Sequence, residues 1–309
     1  MIEKESNFIS AVAYLQEDED NALNFLQVIN EVLESNFKKY EIIFVSNYEN
    51  KIAREKIKEF KGDNEHLNIR FILLDAQQGL EECMNAGIDM SIGDFVFEFD
   101  SCYIDYDKKL VMDIYRKSLE GYDIVVASPP TKYSKLSSKI FYSIYNRFSS
   151  NKNLSTERFR IISRRAINRV SGFNKTVPYR KAVYSSAGLP ISEISYEVST
   201  EKSGRKSEDI FRKEVAIDAL LLFTNIAYRF ALTFSILMAL FMFGTGIYTT
   251  YVYFLGNRPV KGWSPLMGVI SVGFLVIFIV LTVIIKYLDL LLRLIFKRQK
   301  YMVVNIEKF

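Results

Sequence analysis

Histidine is nearly absent from this 309-residue sequence, which has one, and cysteine is scarce, with two. His66 has no partner histidine, which excludes a His-based metal centre and a serine-type triad. Cys83 falls in a helix-like stretch and Cys102 follows a strand-like run, so the pair offers neither a disulfide framework nor a CxxC metal site. Charge of one sign is also weak. Forty Lys and Arg against 36 Asp and Glu leave a formal +4, too little to point to nucleic acid but compatible with anionic lipid headgroups or phosphorylated substrates. Nothing at the start resembles a signal peptide, since residues 1–7 are charged and 8–15 read as a strand.

Long apolar runs are present, and they sit late in the chain. Residues 230–255 contain no charge and, as a helix, reach roughly 39 Å, more than the ~30 Å of bilayer hydrocarbon. A second uncharged run, 262–285, follows after Gly256-Asn257-Arg258-Pro259-Val260-Lys261, a link that allows only a turn between antiparallel helices. The pair predicts a transmembrane hairpin. Lys202, Arg205, Lys206, Arg212, Lys213 and Arg229 precede it and Lys286, Arg293, Lys297, Arg298 and Lys300 follow it, while its loop holds only Arg258 and Lys261, so both termini are expected in the cytoplasm. Residues 207–228 mix Ile210, Phe211, Val215, Leu220 and Leu221 with Asp209, Arg212, Lys213 and Asp218, the pattern of an interfacial amphipathic helix. Residues 286–300 share that character and are expected along the cytoplasmic leaflet or as a plain flank of the span. Gly244 and Gly246 offer a close-packing spot for association through the membrane helices.

The first 206 residues read as a separate cytosolic domain in which strands and helices alternate. Runs at 8–15, 40–45, 67–74 and 94–100 have strand length and composition, and 21–35, 52–60 and 80–91 carry apolar residues at helical spacing. That order predicts a parallel sheet covered by helices on both faces, with ligands at the carboxyl ends of the strands, just after Leu15, Val45, Leu74 and Phe99. Asp100 ends such a strand, and Asp105 and Asp107 follow. These acids could hold Mg²⁺ against a nucleotide diphosphate, because Mg²⁺ takes one or two carboxylates plus phosphate oxygens, or could be solvated loop carboxylates. Glu98 shares a strand face with Asp100.

The run Gln78-Gly79-Leu80-Glu81-Glu82-Cys83-Met84-Asn85-Ala86-Gly87-Ile88-Asp89-Met90-Ser91-Ile92-Gly93-Asp94, with the strand to Asp100, resembles family 2 glycosyltransferases of GT-A (Rossmann-like) fold. Within them it is similar to the polyprenyl-phosphate glycosyltransferases, the group of dolichol-phosphate mannose synthase and bactoprenol glucosyltransferases. Phe141 to Asn146, Arg158-Phe159-Arg160-Ile161-Ile162-Ser163-Arg164, Gly204, Gly262-Trp263 and Tyr301-Met302-Val303-Val304 fall in that group's order. The resemblance implies transfer of a sugar from a nucleotide sugar to polyprenyl (undecaprenyl or dolichyl) phosphate, with inversion, at the cytoplasmic face of a bacterial inner membrane, for cell-envelope polysaccharide. It implies contacts to the nucleotide from Asp18, Asn47 and Gly79, a Mg²⁺ or Mn²⁺ ion or the sugar at Asp100, with Asp105 as a further ligand, and catalytic Arg160 and Arg164. Lys132 and Lys206 would join Arg160 at the lipid phosphate.

The pattern also departs from the family. Gln16-Glu17-Asp18 stand where the family has Tyr-Asn-Glu, Ser46-Asn47 where it has an acidic pair, Cys102 where it has the second carboxylate of its metal motif, Arg158 where it has an acid, and Glu201 where it has an arginine. These changes motivate an alternative, a catalytically inactive relative that serves as a binding or scaffold subunit in lipid-linked glycan assembly. In a third reading, Cys102, Glu98 or Asp105 replaces the missing ligand for an unusual donor.

Overall fold

The computed structural model describes residues 4–15, 19–47, 51–62, 67–75, 78–130, 136–148, 154–173, 179–198, 263–296, 301 and 303–308, together with scattered helical residues between 229 and 254. Its elements run β1 (Glu5–Tyr14), α1 (Glu19–Asn36), β2 (Phe37–Asn47), α2 (Lys51–Gly62), β3 (Ile69–Leu74), α3 (Leu80–Met90), β4 (Phe95–Phe99) and α4 (Lys109–Leu119). There follow β5 (Ile124–Ser128), α5 (Leu136–Phe148), β6 (Phe159–Ser163), α6 (Arg164–Phe173), α7 (Arg180–Ser186), β7 (Ile191–Ser195), α8 (Trp263–Phe296) and β8 (Val303–Lys308). The strands form one sheet in the order β7-β5-β6-β4-β1-β2-β3-β8.

The central strands are buried on both faces, which is why their sequences read as continuous apolar runs. Ile9, Ala11 and Ala13 of β1, Ile42 and Phe44 of β2 and Phe97 and Phe99 of β4 face one core with α1 and α4. Val12, Ile43, Val45 and Val96 face the other with Met84 and Ile88 of α3. Phe99 lies between Phe25 and Phe159, with ring centroids 4.9 and 5.1 Å away, and closes the first core under the end of β4. Helix α3 presses on the sheet through Gly87, where a Cβ would stand 2.4 Å from Val12 Cγ1 and 2.6 Å from Val45 Cγ2.

One expectation is corrected. The sheet is mixed rather than parallel: β6 runs antiparallel to β4 and β5, and β8 antiparallel to β3. The alternation that predicted parallel strands holds only through β4, after which Phe159–Ser163 enters from the opposite direction and delivers its first residues, not its last, to the carboxyl end of β4. Of residues 286–300, the part to Phe296 continues the helix of the second expected span, as a plain flank of that span would. Helix α8 runs unbroken to Phe296, because its leucine-rich continuation past Lys286 contains no Pro or Gly to end it. The chain then returns to the sheet, where Ile72 pairs with Ile306 and Leu74 with Val303, and Glu307 accepts ion pairs from Arg54 (3.4 Å) and Lys58 (2.7 Å) of α2.

Most of the first expected span, 230–255, and all of 207–228 lie outside the described residues. Counted over residues whose side chains are described, no uninterrupted helix is long and apolar enough to cross a membrane. The 34-residue α8, which includes nearly all of 262–285, exposes Phe274, Phe278, Leu281 and Ile285 along its described part.

Candidate active site

Three elements meet at the carboxyl end of β4. Alternation along the strand puts Val96, Glu98 and Asp100 on one face. The antiparallel register places Arg160 of β6 directly beside Glu98. Helix α7 then lays Arg180 and, one turn later, Tyr184 against that face, and α3 contributes Glu81 from its first turn.

Arg180 is the hub. Its guanidinium donates to Glu81 Oε2 at 2.9 Å, Glu98 Oε2 at 2.6 Å and Asp100 Oδ1 at 2.8 Å, and its backbone N–H donates to Glu81 at 3.0 Å. Arg160 ion-pairs with Glu157 at 2.9 Å, with Asp100 at 3.4 Å and with Glu98 at 3.5 Å, and it lies over the Tyr184 ring at 5.5 Å. Tyr184 donates its hydroxyl to Glu98 Oε1 at 2.6 Å. Lys181 stands 3.7 Å from Asp100 and 3.9 Å from Glu157.

Burial and the neighbouring cations oppose each other at the two carboxyls on this strand face. Burial pushes the Glu98 carboxyl up, against the pull of Arg180 and Arg160. Burial also acts to raise Asp100, but Arg180, Arg160 and Lys181 outweigh it and hold that carboxyl well below the usual range. The potential at Asp100 is therefore positive, the reverse of a site where carboxylates crowd together and raise one another.

A second buried pair lies beside this one. Arg158 donates to both carboxylate oxygens of Asp105, through Nε at 2.8 Å and through Nη2, while Tyr196 donates to the same acid at 2.8 Å. The acid-to-arginine departure at Arg158 is thus matched by an acid from the loop after β4.

The expected site residues divide accordingly. Asp100, Glu98 and Arg160 come together. Asp105 is bound by Arg158. Arg164 is not brought to the cluster: β6 runs antiparallel to β4, so Arg164 lies at the opposite end of the sheet and donates to the carbonyls of Gly93 and Ser91 at 2.9 Å. Gly79 caps α3, with its N–H bonded to Glu82 at 3.2 Å, and the backbone of Asn47 ends β2. Asp18, Lys132 and Lys206 lie outside the described residues, as do His66 and Gly246. Sequence reasoning missed Arg180, Lys181, Glu157 and Tyr184 and gave Glu81 no role. The signal available was a helix, Arg180-Lys181-Ala182-Val183-Tyr184, that opens with two cations and yet is largely buried.

These donors do not fit a divalent metal. Both oxygens of Asp100 face cations, Asp105 is held by Arg158, and the Cys102 thiol points to the Tyr14 carbonyl at 3.6 Å. Among the described residues no group of three or more His, Cys, Asp or Glu side chains is placed to hold a metal ion.

Residues 17–183, more than half of the chain, match the sequence pattern of glycosyl transferase family 2. The chain belongs to that family. Its mixed sheet is accordingly GT-A-like, and the cluster at β4 lies inside the family region. A mannosyltransferase from Pyrobaculum calidifontis, solved with GDP-Man and Mn²⁺, shares the fold with a TM-score of 0.53 at 10% identity. The match covers 70% of this chain but only 64% of that protein's length. A glucosyl-3-phosphoglycerate synthase from Mycobacterium tuberculosis, solved with Mn²⁺, UDP and phosphoglyceric acid, gives 0.48 at 15% identity, over 69% of this chain and 78% of that one. No curated protein sequence matches the chain.

Proposed function

We propose that this family 2 glycosyltransferase moves a sugar from a nucleotide sugar to a polyprenyl phosphate at the cytoplasmic face of a membrane. The observation that supports a membrane anchor, and through it a lipid acceptor, is the return of β8. The chain leaves the sheet after β7 at Ser195 and rejoins it at Val303, so any crossings of a bilayer between those points must be even in number. The interval holds two uncharged runs, 230–255 and 262–285, which fit one outward and one inward passage. Apolar side chains exposed along α8 support the same reading, because apolar surface on that scale calls for a cover. The division into a domain of residues 1–206, an interfacial helix at 207–228 and a membrane hairpin at 229–309 is part of this proposal, with β8 returned to the domain.

Chemistry at the cluster follows from its charges. A phosphate acceptor is already an anion near neutral pH, so the reaction requires no strong general base. An acceptor oxygen bonds to the anomeric carbon as the bond from that carbon to the diphosphate breaks, and the nucleoside diphosphate leaves with the electron pair, inverting the centre. What the protein must supply is in-line placement and positive charge for the departing diphosphate. Arg160, Arg180 and Lys181 are the cations the fold gathers. Asp100 orients the arginines and, in this reading, would accept from a sugar hydroxyl. Asp18, Asn47 and Gly79 belong to the nucleotide side of this reading, and Lys132 and Lys206 to the acceptor side.

One observation favours the scaffold alternative: Asp100 and Asp105 are both engaged by arginines. The deciding experiment is polyprenyl-phosphate-dependent release of nucleoside diphosphate by the detergent-solubilised chain across a panel of nucleotide sugars. Release that needs the lipid and is lost in Asp100→Ala and Arg160→Ala establishes the transferase. A folded protein that releases nothing with any donor, beside an active relative, leaves the scaffold reading.

A further inference from the structure

The cations around Asp100 are not equivalent. Arg160 and Arg180 have side chains 1% and 4% exposed, and Glu81, Glu98 and Glu157 engage their buried sides. Asp100 and Lys181, at 14% and 10%, are the members through which the cluster reaches the surface. The Lys181 side chain is 10% exposed, and the contacts of its ammonium at 3.7 and 3.9 Å are ion-pair distances, too long for hydrogen bonds. Arg160 Nε and Nη1 are buried without a hydrogen-bond partner among the described residues. A buried cation with unused donors is costly to keep, and an anion that accepted those donors would remove the cost. The mannosyltransferase from Pyrobaculum calidifontis is solved with GDP-Man and Mn²⁺; here Asp100 faces arginines and a lysine, Asp105 faces an arginine, and the Cys102 thiol faces a backbone carbonyl.

We infer that Lys181, backed by Arg180 and Arg160, binds the donor's diphosphate in place of a divalent cation, so that this chain takes nucleoside diphosphates without metal. The inference rests on the transferase reading and deepens it. Lys181 would offer up to three N–H donors to phosphate oxygens, with Arg160 and Arg180 holding positive charge behind it. Metal-bound diphosphate needs a carboxylate pair to hold the ion. This arrangement needs none, and it accounts for a chain that has Cys102 where the second carboxylate stands in its relatives.

The test is calorimetric titration of the full-length detergent-solubilised protein with UDP, GDP, CDP and inorganic pyrophosphate, in EDTA and in Mn²⁺ or Mg²⁺. The expected result is binding of a nucleoside diphosphate whose Kd in EDTA lies within about twofold of that in metal. Lys181→Gln should weaken it by about tenfold or more, with Lys181→Arg recovering most of the loss. Lys181 is chosen because an Arg180 variant threatens the fold, and each variant's unfolding midpoint is checked beside wild type. Binding only when metal is added overturns the inference and leaves the transferase reading standing. Unchanged binding by folded Lys181→Gln also overturns it. Absence of nucleoside diphosphate binding in every condition overturns the inference and the transferase reading together.

Discussion

Replacing Arg180 with methionine tests whether the cluster holds the domain together. The side chain is 4% exposed and pairs with three carboxylates at 2.6 to 2.9 Å. Methionine fills much of the same space, so packing changes little and the main loss is charge. Removing one partner of a buried ion pair costs about 3–5 kcal/mol, and three carboxylates deprived at once place Arg180→Met near the upper end, about 5 kcal/mol. That is a large fraction of the ~5–15 kcal/mol that holds an ordinary domain folded. Urea unfolding in detergent should show a lower midpoint with an unchanged slope. Adding Glu98→Gln should restore about 1–2 kcal/mol, because the neutral amide no longer needs the guanidinium. The deficit should also depend on pH. In the wild type Asp100 is held below the ordinary aspartate range, so its contribution is complete above about pH 4 and is lost as pH falls through the depressed folded value. The variant lacks much of that contribution, so the gap is widest at neutral pH and narrows below about pH 4. A deficit under about 1 kcal/mol, or one independent of pH, would refute the reasoning.

Arg158→Ala should cost about 3 kcal/mol in thermal or urea unfolding, and Asp105→Asn in that background should recover part of it, because Asp105 is 3% exposed and depends on Arg158. Equal stability of single and double variants would argue against the pair. Gly87→Ala should destabilise by about 1–3 kcal/mol, as its methyl would meet Val12 and Val45, and Val12→Ala should relieve it. Asp123 accepts from Ser163 at 2.6 Å and from Arg165 at 3.0 and 2.7 Å; burial acts to raise its pKa, but Arg165 and Ser163 prevail and lower it. Asp123→Asn should therefore lose about 1 kcal/mol at neutral pH, with the difference fading as pH falls below about 4, where the unfolded chain protonates, and on through the lowered folded value, as urea midpoints across pH would show.

The first half of the domain was legible because its signals are local. Apolar runs of strand length and helical spacing marked β1 through β4, and the strand alternation put Glu98 and Asp100 on one face. The second half was not. Phe159–Ser163 is a five-residue strand whose direction depends on which neighbour it joins, and its antiparallel entry brings Arg160 to Asp100 while sending Arg164 to the far end. Arg180 and Lys181 drew no reading from the sequence, because their partners Glu81, Glu98, Asp100 and Glu157 meet them only once α7 is packed on the sheet.

Composition and period act over a few residues, and they are enough to mark the family region, the strands covered on both faces and the two uncharged runs. That β8 closes the sheet edge beside β3, after an interval of more than a hundred residues, follows from the folded chain alone. So does the meeting of Asp100 with three cations. Pairing between strands and ion pairs between helices depend on where distant segments meet, and no local pattern encodes that.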